Sequence, residues 1–346
     1  MGISNKEWLD KRSRNLQKKR NKVKDRRYYG TNINNSSRGA DIKEDTYYNI
    51  NWPEYNVKAP QIFSFIKNSQ EVISFFDDIL TEIKRQRYKQ KFFIDSEDVY
   101  DVTIDALVYI IAIINNIKLN RTMLYSYAGN LPLSLEAQKA YCESGFFKYV
   151  KSKLPEALCP NSKLQIMSGK ITDQNTARLL CLFVMEKLHV DRVFINTLFK
   201  SLIEMMSNAV HHAYKDEELM IPCWYVFAEY NGDSVKFVFV DTGFGIANTV
   251  KKKFWEKLGI NNADSELIYS AFYGGFRTET NLKNRGLGLP ALKEYVIDGY
   301  FNEFFVLSGQ GSLILEKDGA QNKLTKQEYN NKIYGTIYSF EIRARR

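Results

Sequence analysis

Three short segments in the carboxy-terminal half of the chain combine residue types that can hold a nucleotide. Asp241-Thr242-Gly243-Phe244-Gly245-Ile246 sets a carboxylate beside two glycines. A carboxylate can accept a charge-assisted hydrogen bond from an exocyclic amine such as that of adenine, and glycines let the backbone approach a flat base. Glu204-x-x-x-Asn208 pairs a carboxylate with an amide four residues on, and His211 and His212 follow. On a helix these residues share roughly one face. An Asn oxygen is a hard ligand suited to Mg²⁺, which completes its shell with waters and substrate phosphates. Arg285-Gly286-Leu287-Gly288-Leu289-Pro290 offers glycines just before a proline, a favoured residue at the first helical position. Unpaired amides at such a helix start attract anions, and Arg277, Lys283 and Arg285 add positive charge. Taken singly, each segment also reads as an ordinary polar helix face or glycine turn. In this order they describe a Mg-nucleotide site.

Positioning those residues requires particular elements. Residues 234–240 alternate and are rich in Val and Phe, so they read as a strand that ends at Asp241. The turn signal Asn231-Gly232-Asp233 joins it to an earlier strand over residues 224–230. Phe194, Leu198, Leu202, Met205, Met206 and Ala209 recur at helical spacing, predicting one long amphipathic helix over 192–214. Residues 291–296 continue as helix after Pro290. Between them, residues 248–284 lack a clean strand pattern and carry Gly274-Gly275, which predicts a mobile lid. Ser308-Gly309-Gln310-Gly311-Ser312 and Asp318-Gly319 mark hairpin turns, and residues 323–332 read as a polar connection. Other nucleotide loops do not fit: Gly243-x-Gly245 lacks a third glycine at the dinucleotide-fold spacing, and no Gly-x-x-x-x-Gly-Lys-Ser/Thr occurs.

The three segments closely resemble the N box and the two glycine boxes of the GHKL superfamily of gyrases, chaperones, histidine kinases and mismatch-repair ATPases. Gly335-Thr336-Ile337-Tyr338-Ser339-Phe340 is similar to the Gly-Thr box of its kinase-type members, so the resemblance covers residues 171–342. It implies an α/β sandwich, a mixed sheet with helices on one face, that binds ATP and Mg²⁺. It implies that Asp241 holds the adenine amine, that Gly243, Gly245 and Ile246 frame the base, and that Thr336 assists Asp241. Asn208 would ligate the metal. Glu204 would stand where hydrolytic members carry the general base. His211 or His212, Arg277, and Arg285, Gly286, Leu287, Gly288 and Leu289 would meet the phosphates. Of the three histidines, His189, His211 and His212, none precedes residue 189, so no upstream phosphoacceptor helix is expected, and an ordinary sensor histidine kinase is not the expected function. His189 follows an apolar helix over residues 179–188 and reads as a helix-end residue.

At 346 residues the chain can hold two cores. The longest strongly apolar run, 106–114, is too short to span a bilayer and no signal peptide precedes it, so a cytoplasmic protein is expected. Cys142, Cys159, Cys181 and Cys223 show no metal-ligand spacing and suit reduced thiols. Residues 1–27 hold eleven Lys or Arg against three acids, a balance of +8 out of the chain's +9. Such an arm can bind nucleic acid, an anionic membrane or an acidic partner, or be a solvated tail. With residues 28–59 as linker, it makes up the segment 1–59.

Residues 60–155 read as a small α/β domain and 156–346 as the nucleotide domain. In the former, 92–94 and 121–127 read as strands, 103–117 and 135–144 as helices. Asp95, Val99, Asp105, Gly129-Asn130-Leu131-Pro132 and Ser144-Gly145-Phe146 loosely resemble STAS domains, a resemblance that makes Thr103 the nearest counterpart of their phosphorylated residue. Three functions remain open: an ATP-driven conformational switch with slow hydrolysis in prokaryotic regulation or defence, a Ser/Thr protein kinase of the anti-sigma type, or a non-catalytic nucleotide-dependent module. A protein partner or a homodimer is expected with each.

Overall fold

The computed structural model describes residues 54–85, 90–117, 125–150, 160–211, 220–254, 263–273, 294, 301–318 and 321–343. The basic arm, the helix expected over 291–296 apart from Glu294, and most of the expected lid lie outside them. The chain is mixed α/β, and Asn51–Arg346 make one compact unit.

Its largest element is a seven-stranded sheet in the order β11-β10-β9-β12-β8-β7-β6. The strands are β6 (Lys163–Gly169), β7 (Trp224–Tyr230), β8 (Ser234–Asp241), β9 (Phe301–Ser308), β10 (Gly311–Asp318), β11 (Gln321–Glu328) and β12 (Thr336–Arg343). Every neighbouring pair is antiparallel, so this sheet is not mixed. Short turns explain it. Gly232, at φ 97°, closes the β7–β8 hairpin, and Gly309, at φ 63°, turns β9 into β10. The expected polar connection at 323–332 is instead largely β11, an edge strand. Leu324 is its one apolar residue, and its charged side chains suit a sheet edge; Lys326 pairs with Glu266 at 2.8 Å and lies 3.9 Å from the Tyr269 ring centre.

Both faces of the sheet are covered, which corrects the expectation of helices on one face. Along β8, Val235, Phe237 and Phe239 face one apolar layer while Val238 and Val240 face the other. A strand that is apolar at both parities is one buried on both sides. The first face carries α4 (Gln174–Lys187), α5 (Arg192–His211), α6 (Ile246–Phe254) and α7 (Asp264–Phe272). The stretch expected as lid thus contains two helices. Phe237, Phe301 and Phe340 stack under this layer, with ring centres 5.2 and 4.9 Å apart. Burial of each ring contributes roughly 1.5–3 kcal/mol.

The second face carries α2 (Ile104–Asn116), whose residues from Ala106 to Ile113 are all buried, as befits a helix apolar all round. It belongs to a smaller unit. There, β1 (Glu54–Lys58), β3 (Gln90–Asp95) and β5 (Tyr125–Gly129) form a parallel sheet in sequence order, with α1 (Ser69–Arg85) and α3 (Leu135–Glu143) in its connections and beyond. Two-residue strands β2 (Ile62–Phe63) and β4 (Asp101–Val102) pair separately. Residues 54–58 were expected to be linker; they pair in register with β3. One apolar cluster runs from α1 and α2 into β7, β8 and β9, crossing the boundary drawn at 155/156. Polar links reinforce it: Asn116 donates to the Tyr225 hydroxyl at 2.7 Å, and Lys163 lies 2.7 Å from Glu143 and 2.9 Å from Glu229.

Candidate functional site

Four neighbouring strands bring one row of side chains together on the face covered by α5, α6 and α7. Trp224 pairs with Asp241 across β7 and β8, Asp241 with Thr336 across β8 and β12, and Thr336 with Ser308 across β12 and β9. Parity decides which face they occupy, since Asp241 shares that of Phe237 and Phe239.

Asp241 is the chemical centre of the row. Its Oδ1 accepts the Gly243 N–H at 2.9 Å, and the side chain and backbone of Thr336 also hydrogen-bond the carboxylate. Burial opposes ionisation more strongly than these bonds favour it, and the carboxyl is pushed up to about 7. The Thr336 hydroxyl also meets the Tyr338 phenol, which burial and then the nearby Asp241 push upwards. Behind the carboxylate, Thr242 turns away and donates to the Ile221 carbonyl at 2.7 Å, fixing the strand end.

The glycines allow the loop to fold over this row. Gly245 has φ 78°, and a Cβ there would stand 2.7 Å from Ser308 Oγ and 2.8 Å from the Gly335 carbonyl. Gly335, also at φ 78°, lies so close to Asp241 that a Cβ would run into its carbonyl oxygen. Gly243 brings the loop against α5: a Cβ there would lie 3.0 Å from the Ala209 carbonyl. The helix carrying Glu204 and Asn208 therefore passes directly beside the loop that follows Asp241. Glu204 is half-buried and Asn208 is exposed. His211 closes α5, while His212, Arg277, Arg285, Gly286, Leu287, Gly288 and Leu289 lie outside the described residues.

Three contributors went unread in the sequence. Ser308 accepts the Ile246 N–H at 2.9 Å, capping the start of α6, and donates to the Gly335 carbonyl at 3.1 Å. It stood at the edge of a recognised turn, where a buried hydroxyl cannot be told from an exposed one. Tyr109 and Tyr334 are the others. The Tyr109 hydroxyl accepts the Tyr334 N–H at 2.9 Å and donates to the Tyr334 carbonyl at 3.2 Å. Lys84 reaches the Tyr334 hydroxyl, Gln70 accepts the Asn330 N–H at 3.2 Å, and Asn331 donates to Asp77 at 3.0 Å. Helices α1 and α2 thus hold the loop that delivers Gly335 and Thr336 to Asp241. One signal was available: Tyr109 is the only polar side chain in the run 106–114.

Thr103 stands at the start of α2, its hydroxyl directed to Asp105. Asp105 is buried, accepts the Phe65 N–H at 3.1 Å, and is pushed upwards by that burial.

A Cβ at 243 or 245 would press on the Ala209 or Gly335 carbonyl, so these glycines let the loop pack closely beside the buried carboxylate of Asp241. Among the described residues no group of three or more His, Cys, Asp or Glu could hold a metal ion by itself. Mg²⁺ needs no such cage, since one Asn oxygen with waters and phosphates suffices. No protein-family model matches the chain, and no curated protein matches it. Among the described residues, no helix is long and apolar enough to cross a membrane.

Proposed function

We propose that the chain binds Mg-ATP as the GHKL proteins it resembles do, and works as an ATP-driven conformational switch. The observation that carries this reading is Asp241, buried at a strand end between Gly243 and Thr336 and raised to about 7. That carboxyl already accepts the Gly243 N–H and bonds to Thr336, and the exocyclic amine of adenine would add a further donor. Thr336 orients the carboxylate, and Gly243 and Gly245 let the loop lie close beside it. Asn208 would hold Mg²⁺, whose chemistry is to neutralise the phosphate oxygens. Glu204, four residues before Asn208 on α5, would orient a water and take its proton, giving slow hydrolysis.

Coupling favours a switch. The loop bearing Thr336 is held by Tyr109, Gln70, Asp77 and Lys84 of the smaller unit. A ligand that draws Asp241 and Thr336 together therefore acts on the anchorage of α1 and α2, which is the differential contact that a population shift requires. The test follows the γ-phosphate of labelled Mg-ATP with purified protein and with Glu204→Ala. Glu204-dependent free phosphate without labelled protein supports the switch with hydrolysis. Label retained on a Ser or Thr makes the chain a kinase instead, and absence of ATP binding at any concentration removes the nucleotide reading.

A further inference from the structure

Helix α4 carries an apolar stripe on its exposed side as well as on its buried one. Ala177, Leu180, Cys181, Phe183 and Val184 face the core against α5, but the opposite side is only partly polar. Leu179, Leu182 and Met185 are 44, 54 and 48% exposed there, and Ile171 before the helix and Val193 after it are 72 and 75% exposed. Large apolar side chains in a row on an exposed helix face, rimmed by polar residues, mark a contact surface.

The order of these residues says what covers it. Ile171 and Val193 lie equally far from Leu182 along the chain, as do Leu179 and Met185, Arg178 and Glu186, and Asn175 and His189. All of these side chains are exposed. The stripe 175, 178/179, 182, 185/186, 189 advances by alternate steps of three and four, the seam of paired helices. In a two-fold contact residue i meets j and j meets i. An antiparallel pair of α4 helices crossing at Leu182 therefore sets Leu179 on the partner's Met185 and Arg178 on the partner's Glu186. Charge and apolar surface match at once. A parallel pair would oppose Arg178 to itself. Glu186 already pairs with Lys187 through Oε1 at 2.8 Å, which holds its carboxylate on the rim of the stripe.

We propose that the outer face of α4 is a self-association surface, on which a second copy of this chain packs antiparallel about Leu182. A face one helix wide lies at the low end of specific interfaces, so the dimer forms in the micromolar range or weaker. Because α4 packs on α5, the dimer seam lies one helix away from Glu204 and Asn208.

Sedimentation velocity of the full chain from about 1 µM to about 1 mM gives the first readout, expected to show a reversible monomer–dimer equilibrium. Leu182→Glu, at an exposed position that leaves the core intact, is expected to be monomeric throughout. Arg178→Glu and Glu186→Arg should each weaken the dimer about tenfold, and the double variant should recover most of that loss, since it restores the pairing with the signs exchanged. Mild oxidation provides a second readout that does not depend on Leu182→Glu folding. Leu182→Cys should cross-link to itself, whereas Leu179→Cys should cross-link to Met185→Cys in a mixture and not to itself. A wild-type chain monomeric at the highest concentration, with no Leu182→Cys cross-link, overturns the proposal and leaves the stripe to another protein. A dimer that survives Leu182→Glu overturns it too, because the interface then lies elsewhere.

Discussion

Asp241→Asn separates the structural cost of the buried carboxyl from its use. Burial raises that group from an ordinary value of 3.8 to about 7. A folded-state pKa above the unfolded one means that stability is fully present below the unfolded value and is lost as pH rises towards the folded one. At about 1.4 kcal/mol per unit, the loss approaches about 4 kcal/mol above neutrality. Most of it develops between pH 5 and 8.5, roughly 3 kcal/mol. Asn cannot ionise and avoids that loss. Its amide oxygen can still accept the Gly243 N–H, but its NH₂ group needs an acceptor, a cost of about 1–3 kcal/mol at every pH. The variant is therefore expected to gain on the parent by roughly 3 kcal/mol in going from pH 5 to pH 8.5, whatever the sign of the difference at pH 5. Urea unfolding of both proteins at the two pH values measures it. ATP affinity should move the other way, falling ten- to a hundredfold at pH 8.5 with the loss of a charge-assisted bond worth about 1.5–3 kcal/mol. A stability difference independent of pH would refute the account of the buried carboxyl. Unchanged ATP affinity would refute the adenine assignment.

Other expectations follow from the anchors around that group. Tyr109→Phe removes both hydrogen bonds to the Tyr334 backbone; it should cost about 1–2 kcal/mol in urea unfolding and weaken ATP binding although Tyr109 sits in the smaller unit. ATP binding that stays at the parental level would sever the two units functionally. Gly335→Ala puts a side chain at φ 78° and against the Asp241 carbonyl, so a loss of about 2–4 kcal/mol is expected, larger than for the same change at the open turn residue Gly232. Ser308→Ala leaves the Ile246 N–H without its acceptor and should cost about 1–3 kcal/mol. Hydrogen exchange should then quicken at Ile246 rather than in β9; protection unchanged at Ile246 would mean that the cap is dispensable.

What could be read in the sequence was local. The ends of β7 and β8, the turn at Gly232, most of α5 and the two middle members of the row, Asp241 and Thr336, follow from alternation, helical spacing and glycine placement within a few residues. Elements whose identity rests on distant partners stayed hidden. Glu54–Lys58 becomes a strand only because β3 lies beside it, and Gln321–Glu328 only because β10 offers an edge. Neither has the apolar content that marks a strand in isolation.

The same distinction applies to the site. Asp241 announced itself because its neighbours in sequence are its neighbours in space. Tyr109, 225 residues from Tyr334, could not. Yet its hydroxyl is what gives the apolar helix α2 a fixed position against the loop before Thr336. An apolar surface alone would let α2 slide by a fraction of a turn with little change in buried area, because dispersion contacts are not directional. Two hydrogen bonds, to the N–H and the carbonyl of one residue, allow a single register. The smaller unit is therefore held in place by the same loop that carries Gly335 and Thr336 to Asp241.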